Sequence, residues 1–240
     1  MDKNQPFFSE STHAVLFALI ARQVITRYGE GKGLPALRKA IRRYGEQRGR
    51  RMALRARANG DELNMANYMC YGEWRYVTDG SQMEQLEEQA DIRMTVQRCP
   101  WELAWKEAGL LPYGRFYCQE IDAALLHGFN PELRIEVKQT LSNDEAPCEF
   151  VYHQAVLEPG HTLAFLRDKS ALLESQRLMP WEYHCGHLYQ ACSLVIGEQF
   201  GPSGRVTVQN ALAEFALRYG GEAAGSVAEY LKLDFNILPG

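Results

Sequence analysis

Apolar positions recur at helical spacing through most of this chain, and switch to strict alternation only in its middle third. Over residues 11–28, Val15, Leu16, Leu19, Ile20 and Val24 fall on one face, with Ser11 or Thr12 placed to cap the helix. Gly29, Gly31 and Gly33 interrupt that pattern, and a second helix is predicted over 34–59, with Pro35 in its first turn and Leu37, Ile41, Tyr44, Met52 and Leu54 on its apolar positions. The two make a helical hairpin over 11–59. Strands are expected over 71–78, around Trp74, Tyr76 and Val77, and over 91–98, where Ile92, Met94 and Val96 alternate with polar residues. Asp79-Gly80 is a turn signal, and the acidic stretch 81–89 is expected to lie exposed. Short helices are predicted over 101–108 and 115–127, each followed by glycine. Residues 133–141 and 148–157 form an antiparallel pair across a polar loop. Helices return over 181–198, 206–218 and 225–233.

Helices before, within and after a central, mainly antiparallel sheet define an α+β fold in a single domain. A weak internal echo accompanies it: Tyr28-Gly29, Leu37 and Tyr44-Gly45 recur as Phe200-Gly201, Leu212 and Tyr219-Gly220, with the leucine seven residues ahead of the Tyr-Gly pair each time. Ordinary composition for a globular chain, 46% hydrophobic and 23% charged, argues against long disorder. A net charge of −4 gives no basic field for nucleic acid. The exception is 38–57, which is crowded with arginine and reads as a solvated helix face paired with acids elsewhere. No apolar run is long enough to cross a bilayer and no secretory leader opens the chain, so the expected compartment is the cytoplasm. Nothing in the sequence argues against a homo-oligomer.

Candidate chemistry gathers around three of the six cysteines. Cys99, Cys118 and Cys148 lie near Asp122, and on a helix over 115–127 Cys118 and Asp122 would share a face. Three thiols could supply three ligands of a zinc site, although no CxxC pair is present. A nucleophilic cysteine instead needs a base, for which His184 and His187 are candidates. Glu73, on its strand, belongs either to the wet face of the sheet or to the lining of a pocket between sheet and helices. Walker, GxSxG and HExxH motifs are all missing, which sets aside nucleotide hydrolysis, serine esterase and zincin chemistry.

The run Arg98-Cys99-Pro100-Trp101, Gly109-Leu110, Tyr117-Cys118, Asp122, Gly128-Phe129-Asn130-Pro131, Leu133, Thr140-Leu141 and Cys148-Glu149-Phe150 resembles the L-2-amino-thiazoline-4-carboxylic acid hydrolase family. The resemblance implies a hydrolase opening a small cyclic amidine or isothiourea: water attacks C2, the bond from C2 to sulfur breaks, and an N-carbamoyl-cysteine is left. It further implies that Asp122 binds the amidine nitrogens or activates water, that Asn130 orients water, that Cys118 is nucleophile or proton donor, and that a cation such as Arg134 receives the carboxylate. A fainter resemblance to vinyl-reductase-type small-molecule-binding domains supplies the competing class, a binding or sensor module with a structural metal and no turnover.

Overall fold

A computed structural model describes residues 7–77, 82–88, 91–153, 155 and 163–239. Helix α1 (Glu10–Ala58) does not run straight: at Gly29 the backbone takes φ 69° and ψ 166°, a conformation that glycine adopts without strain. The chain folds back there, so that His13 Nε2 stands 3.0 Å from the hydroxyl of Tyr44. Helix α8 (Trp181–Tyr219), which comes after α3 (Pro100–Glu107), α6 (Leu163–Leu172) and α7 (Glu174–Arg177), also bends at a glycine of positive φ, Gly201, with φ 64°. Tyr28 and Phe200, each one residue before its bend, stack with ring centroids 3.8 Å apart. The aromatic-glycine echo of the sequence therefore corresponds to two like bends packed on each other. Leu16, Leu19, Ile20, Ile41, Leu188, Val195 and Phe215 fill the core between these arms.

Strands β1 (Gln82–Glu88), β2 (Ile92–Arg98), β3 (Arg134–Gln139) and β4 (Cys148–His153) form one antiparallel sheet in the order β1-β2-β4-β3. Ile92 and Met94 of β2 lie opposite Tyr152 and Phe150 of β4, and Ile135 of β3 also pairs with Tyr152. The face carrying Ile92, Met94, Ile135 and Tyr152 packs on Met52 and Ala56 of α1, Met65 and Tyr68 of α2 (Met65–Cys70), and Leu126 and Phe129 of α5 (Ile121–Phe129). This is the α+β arrangement expected from the sequence pattern. Among the described residues, no helix is long and apolar enough to cross a membrane.

Three expectations are corrected. Residues 71–77 are not a strand. They form an extended strap whose carbonyls are taken by side chains and by another loop: Met179 N–H and His184 donate to Glu73 O, Trp181 Nε1 to Arg75 O, and Arg177 to Gly72 O. The strand comes next, as β1, where an exposed acidic stretch was expected; the Asp79-Gly80 turn lies outside the described residues. The helix expected over 115–127 is two, α4 (Leu111–Cys118) and α5, broken at Gln119-Glu120. Arg42 draws the Glu120 carboxylate to 2.5 Å and Arg38 approaches it to 3.3 Å, holding the break against α1.

The crossing of α1 and α5 matters most for the site. A Cβ on Gly49 would stand 2.6 Å from Phe129 N, one on Gly128 2.5 Å from Glu46 Cα, and one on Gly45 2.7 Å from Ala124 Cβ. Backbone meets backbone, and this brings the arginines of α1 beside Asp122 of α5. Gly49→Ala should force the helices apart and destabilise the protein by about 1–3 kcal/mol or more, read as a lower urea midpoint.

Candidate active site

Arg48, Arg51 and Arg55 sit three and four residues apart on α1 and so share a face, and that face points inward. Arg38 and Arg42 behave as the solvated cations expected of this segment, but these three are buried around Glu73. Arg51 grips Glu73 in a bidentate pair, Nε to Oε1 at 2.8 Å and Nη2 to Oε2 at 2.7 Å, and Arg55 Nη1 adds a bond of 2.8 Å. Arg48 Nε is 3.5 Å from Oε2. Burial alone would raise the Glu73 carboxyl, but the charge and hydrogen bonds of Arg51, with Arg48 beside, outweigh it and hold the group at about 2. Glu73 is thus spoken for, and is not free to take a substrate.

His184 and His187 belong to this cluster and not to the cysteines. His187 Nε2 donates to Gln47 Oε1 at 2.9 Å while its Nδ1 faces Arg51 Nη2 at 3.4 Å. His184 Nε2 donates to Glu73 O at 3.1 Å. Burial, then the neighbouring arginines, pushes both imidazoles below their usual range, His184 to about 3, so both are neutral. Neither is placed as the base of a Cys118 nucleophile.

Arg48 is the unusual member. It is 1% exposed, yet its Nε and Nη1 have no hydrogen-bond partner. Its guanidinium lies over the ring of Trp74, 3.4 Å from the centroid. The hydroxyl of Tyr117, on α4, is likewise buried and unpaired. Unpaired donors in a folded interior call for an explanation, and a ligand group is one. The charge of Arg48 reaches both Tyr117 and Asp122. Burial raises the Asp122 carboxyl to about 6, with Arg48 and a backbone N–H opposing. Asp122 nonetheless keeps part of its surface accessible. Asp122 is thus a desolvated carboxyl that still reaches the surface.

The cysteines lie around this carboxyl. Burial pushes the Cys118 thiol well up, and nearby Cys99, Asp122 and Cys148 add to the shift. Burial takes Cys99 to about 11 and raises Cys148, whose sulfur accepts the N–H of Leu141 at 3.2 Å. Cys99, Cys118, Cys148 and Asp122 are therefore brought close enough to sense one another, although α4 and α5 are separate helices. All three thiols are protonated at neutral pH. Among the described residues, no group of three or more His, Cys, Asp or Glu side chains is disposed to hold a metal, and the three cysteines do not form one.

Asn130 and Arg134 point elsewhere. The Asn130 amide donates to Leu63 O at 2.8 Å and accepts from Glu132 N–H at 3.0 Å, closing the turn after α5. Arg134 is exposed and bonds to the carbonyls of Pro131 and Leu133. Arg48, and not Arg134, is the arginine whose charge reaches Asp122, and Tyr117 stands beside it; the signal for the burial of Arg48 was its helical phase, four residues from the apolar Tyr44 and Met52.

A family model described as L-2-amino-thiazoline-4-carboxylic acid hydrolase matches residues 9–152. That span contains Arg48, Glu73, Tyr117, Cys118 and Asp122 and ends before His184 and His187. No curated protein and no solved structure matches the chain.

Proposed function

Because the chain belongs to the L-2-amino-thiazoline-4-carboxylic acid hydrolase family, we propose that it opens a small, carboxylate-bearing cyclic isothiourea or amidine where Arg48, Tyr117 and Asp122 come together. The observation that carries this reading is a buried guanidinium with two unpaired N–H groups within electrostatic reach of a desolvated carboxyl, which burial raises to about 6. The first suits the carboxylate of the substrate, the second its ring carbon and sulfur.

In this mechanism the Asp122 carboxylate takes a proton from water as the oxygen adds to C2. Tyr117, kept a neutral phenol by burial, donates a hydrogen bond to the atom on which charge builds. The bond from C2 to sulfur then breaks and sulfur departs with the electron pair, while the second proton of the water passes from the C2 oxygen to the ring nitrogen, so that C2 becomes the carbonyl carbon of a urea. A thiolate of ordinary basicity, about 8.5, is a far better proton acceptor than the Asp122 carboxylate. Asp122 therefore returns the proton it took, and one carboxyl serves both steps.

Cys118 has no place in this sequence as nucleophile, since its thiol is held protonated by burial. Cys118→Ser should keep kcat within about tenfold of the parent, because a neighbouring residue is changed and no bond-making group is lost. A loss beyond a thousandfold would restore the covalent route. The direct test of the function is turnover of 2-amino-thiazoline-4-carboxylate followed by release of free thiol. Release proportional to protein concentration supports the hydrolase; binding without release would leave a ligand-binding module.

A further inference from the structure

Arg48 has every reason to be disordered in its aim, because a guanidinium on a long stem has many rotamers open to it and here lacks the hydrogen bonds that fix Arg51 and Arg55. What holds it is a surface. Its guanidinium carbon is 3.4 Å from the Trp74 ring centroid and 5.6 Å from that of Tyr44, and its Nε forms an ion pair of 3.5 Å with Glu73 without a hydrogen bond. We propose that Trp74 is a positioning residue for substrate binding: its indole is the platform that aims the two unpaired N–H groups of Arg48 at the substrate's carboxylate. The proposal rests on the function assigned above and deepens it.

The platform is itself fixed from behind. Trp74 stacks on Trp181 with centroids 5.0 Å apart and planes at 19°, tilts against Trp101 at 5.2 Å, and meets the edge of His184 at 5.2 Å. On either side the strap is pinned, at Glu73 O by Met179 N–H and at Arg75 O by Trp181 Nε1. The order of support is Trp181, then Trp74, then Arg48. Stacking spends no donor of the guanidinium, so its N–H groups stay free for a planar anion, which a hydrogen-bonded anchor such as a second carboxylate would consume.

The test compares two rings, 2-amino-thiazoline-4-carboxylate and 2-amino-2-thiazoline, which lacks only the carboxylate. Binding is measured by calorimetry and turnover by thiol release, on full-length wild type, Trp74→Leu and Trp74→Phe. Losing the stack should raise Kd and KM for the carboxylate ring about tenfold in Trp74→Leu and leave its kcat within threefold. Both constants for the ring without a carboxylate should stay unchanged. Trp74→Phe keeps a flat but smaller face and should fall between, and it carries the test where the leucine variant does not fold. Equal losses on both rings, or no loss on either, would overturn the proposal, since a structural defect does not read the carboxylate. A wild type that binds both rings equally well overturns it too. A wild type that prefers the carboxylate ring in binding yet releases no thiol sinks the hydrolase reading alone, and the binding constants of the variants then decide the role of Trp74.

Discussion

Glu73→Gln is expected to lower the unfolding free energy by about 3–5 kcal/mol, seen as a large drop in the urea midpoint, because removing one partner strands buried charge. The exchange keeps the volume and most of the hydrogen-bonding reach of the side chain. What it deletes is the carboxylate that Arg51 and Arg55 bind and Arg48 faces. The pH dependence gives a second reading. Glu73 in the folded protein titrates at about 2, below the ordinary carboxylate range near 4. Between those values the unfolded chain binds more protons, so stability rises with pH there. The contribution is complete above the ordinary range and is lost as pH falls through about 2. The glutamine variant should lack that part of the acid unfolding profile, and an unchanged profile would contradict the role assigned to Glu73.

Asp122→Asn should divide activity from stability. An amide can neither take the proton of water nor return it to sulfur, so kcat is expected to fall by about 10²–10⁴. Stability should move the other way. The folded Asp122 carboxyl titrates at about 6, above its unfolded value, so the folded protein binds more protons in the interval and the stabilising protonated form is lost as pH rises through about 6. Above that pH the parent keeps a carboxylate in desolvating surroundings, and the asparagine variant does not. A gain of roughly 1 kcal/mol at pH 8, discounted for the accessible part of the group, should appear as a raised urea midpoint and vanish near pH 4. In the parent, kcat/KM should fall tenfold per pH unit below about 6. Activity lost together with stability would mark Asp122 as structural.

The strand pair of β3 and β4 could be read from alternation, and the two helix bends from glycine after an aromatic residue. The strap at 71–77 could not. Trp74, Tyr76 and Val77 have the composition of a strand, and nothing local tells whether the carbonyls of an extended segment meet a neighbouring strand or, as here, the N–H of Met179 and the rings of Trp181 and His184. The break between α4 and α5 was hidden for the same reason, since Glu120 is captured by arginines some eighty residues earlier in the chain. The candidate site divides likewise. Asp122 and the cysteines drew notice through their clustering and helical spacing, and the resemblance then gave them roles, whereas Arg48 lay inside an arginine run that composition reads as solvent-facing. Only its counter-charge, Glu73, makes burial of that run affordable, and Glu73 lies on the segment whose structure was misread.

The interior around the strap has an electrolyte's imbalance. Three guanidinium groups face a single glutamate that stays ionised down to about pH 2, and Asp122, which also senses Arg48, is charged only above about 6. Neutrality in the middle of this protein thus varies with acidity and with what small anion enters. On the proposed function, a carboxylate that settles against Arg48 is a counter-ion before it is a reactant, and the affinity for it is partly the protein's own demand for charge balance.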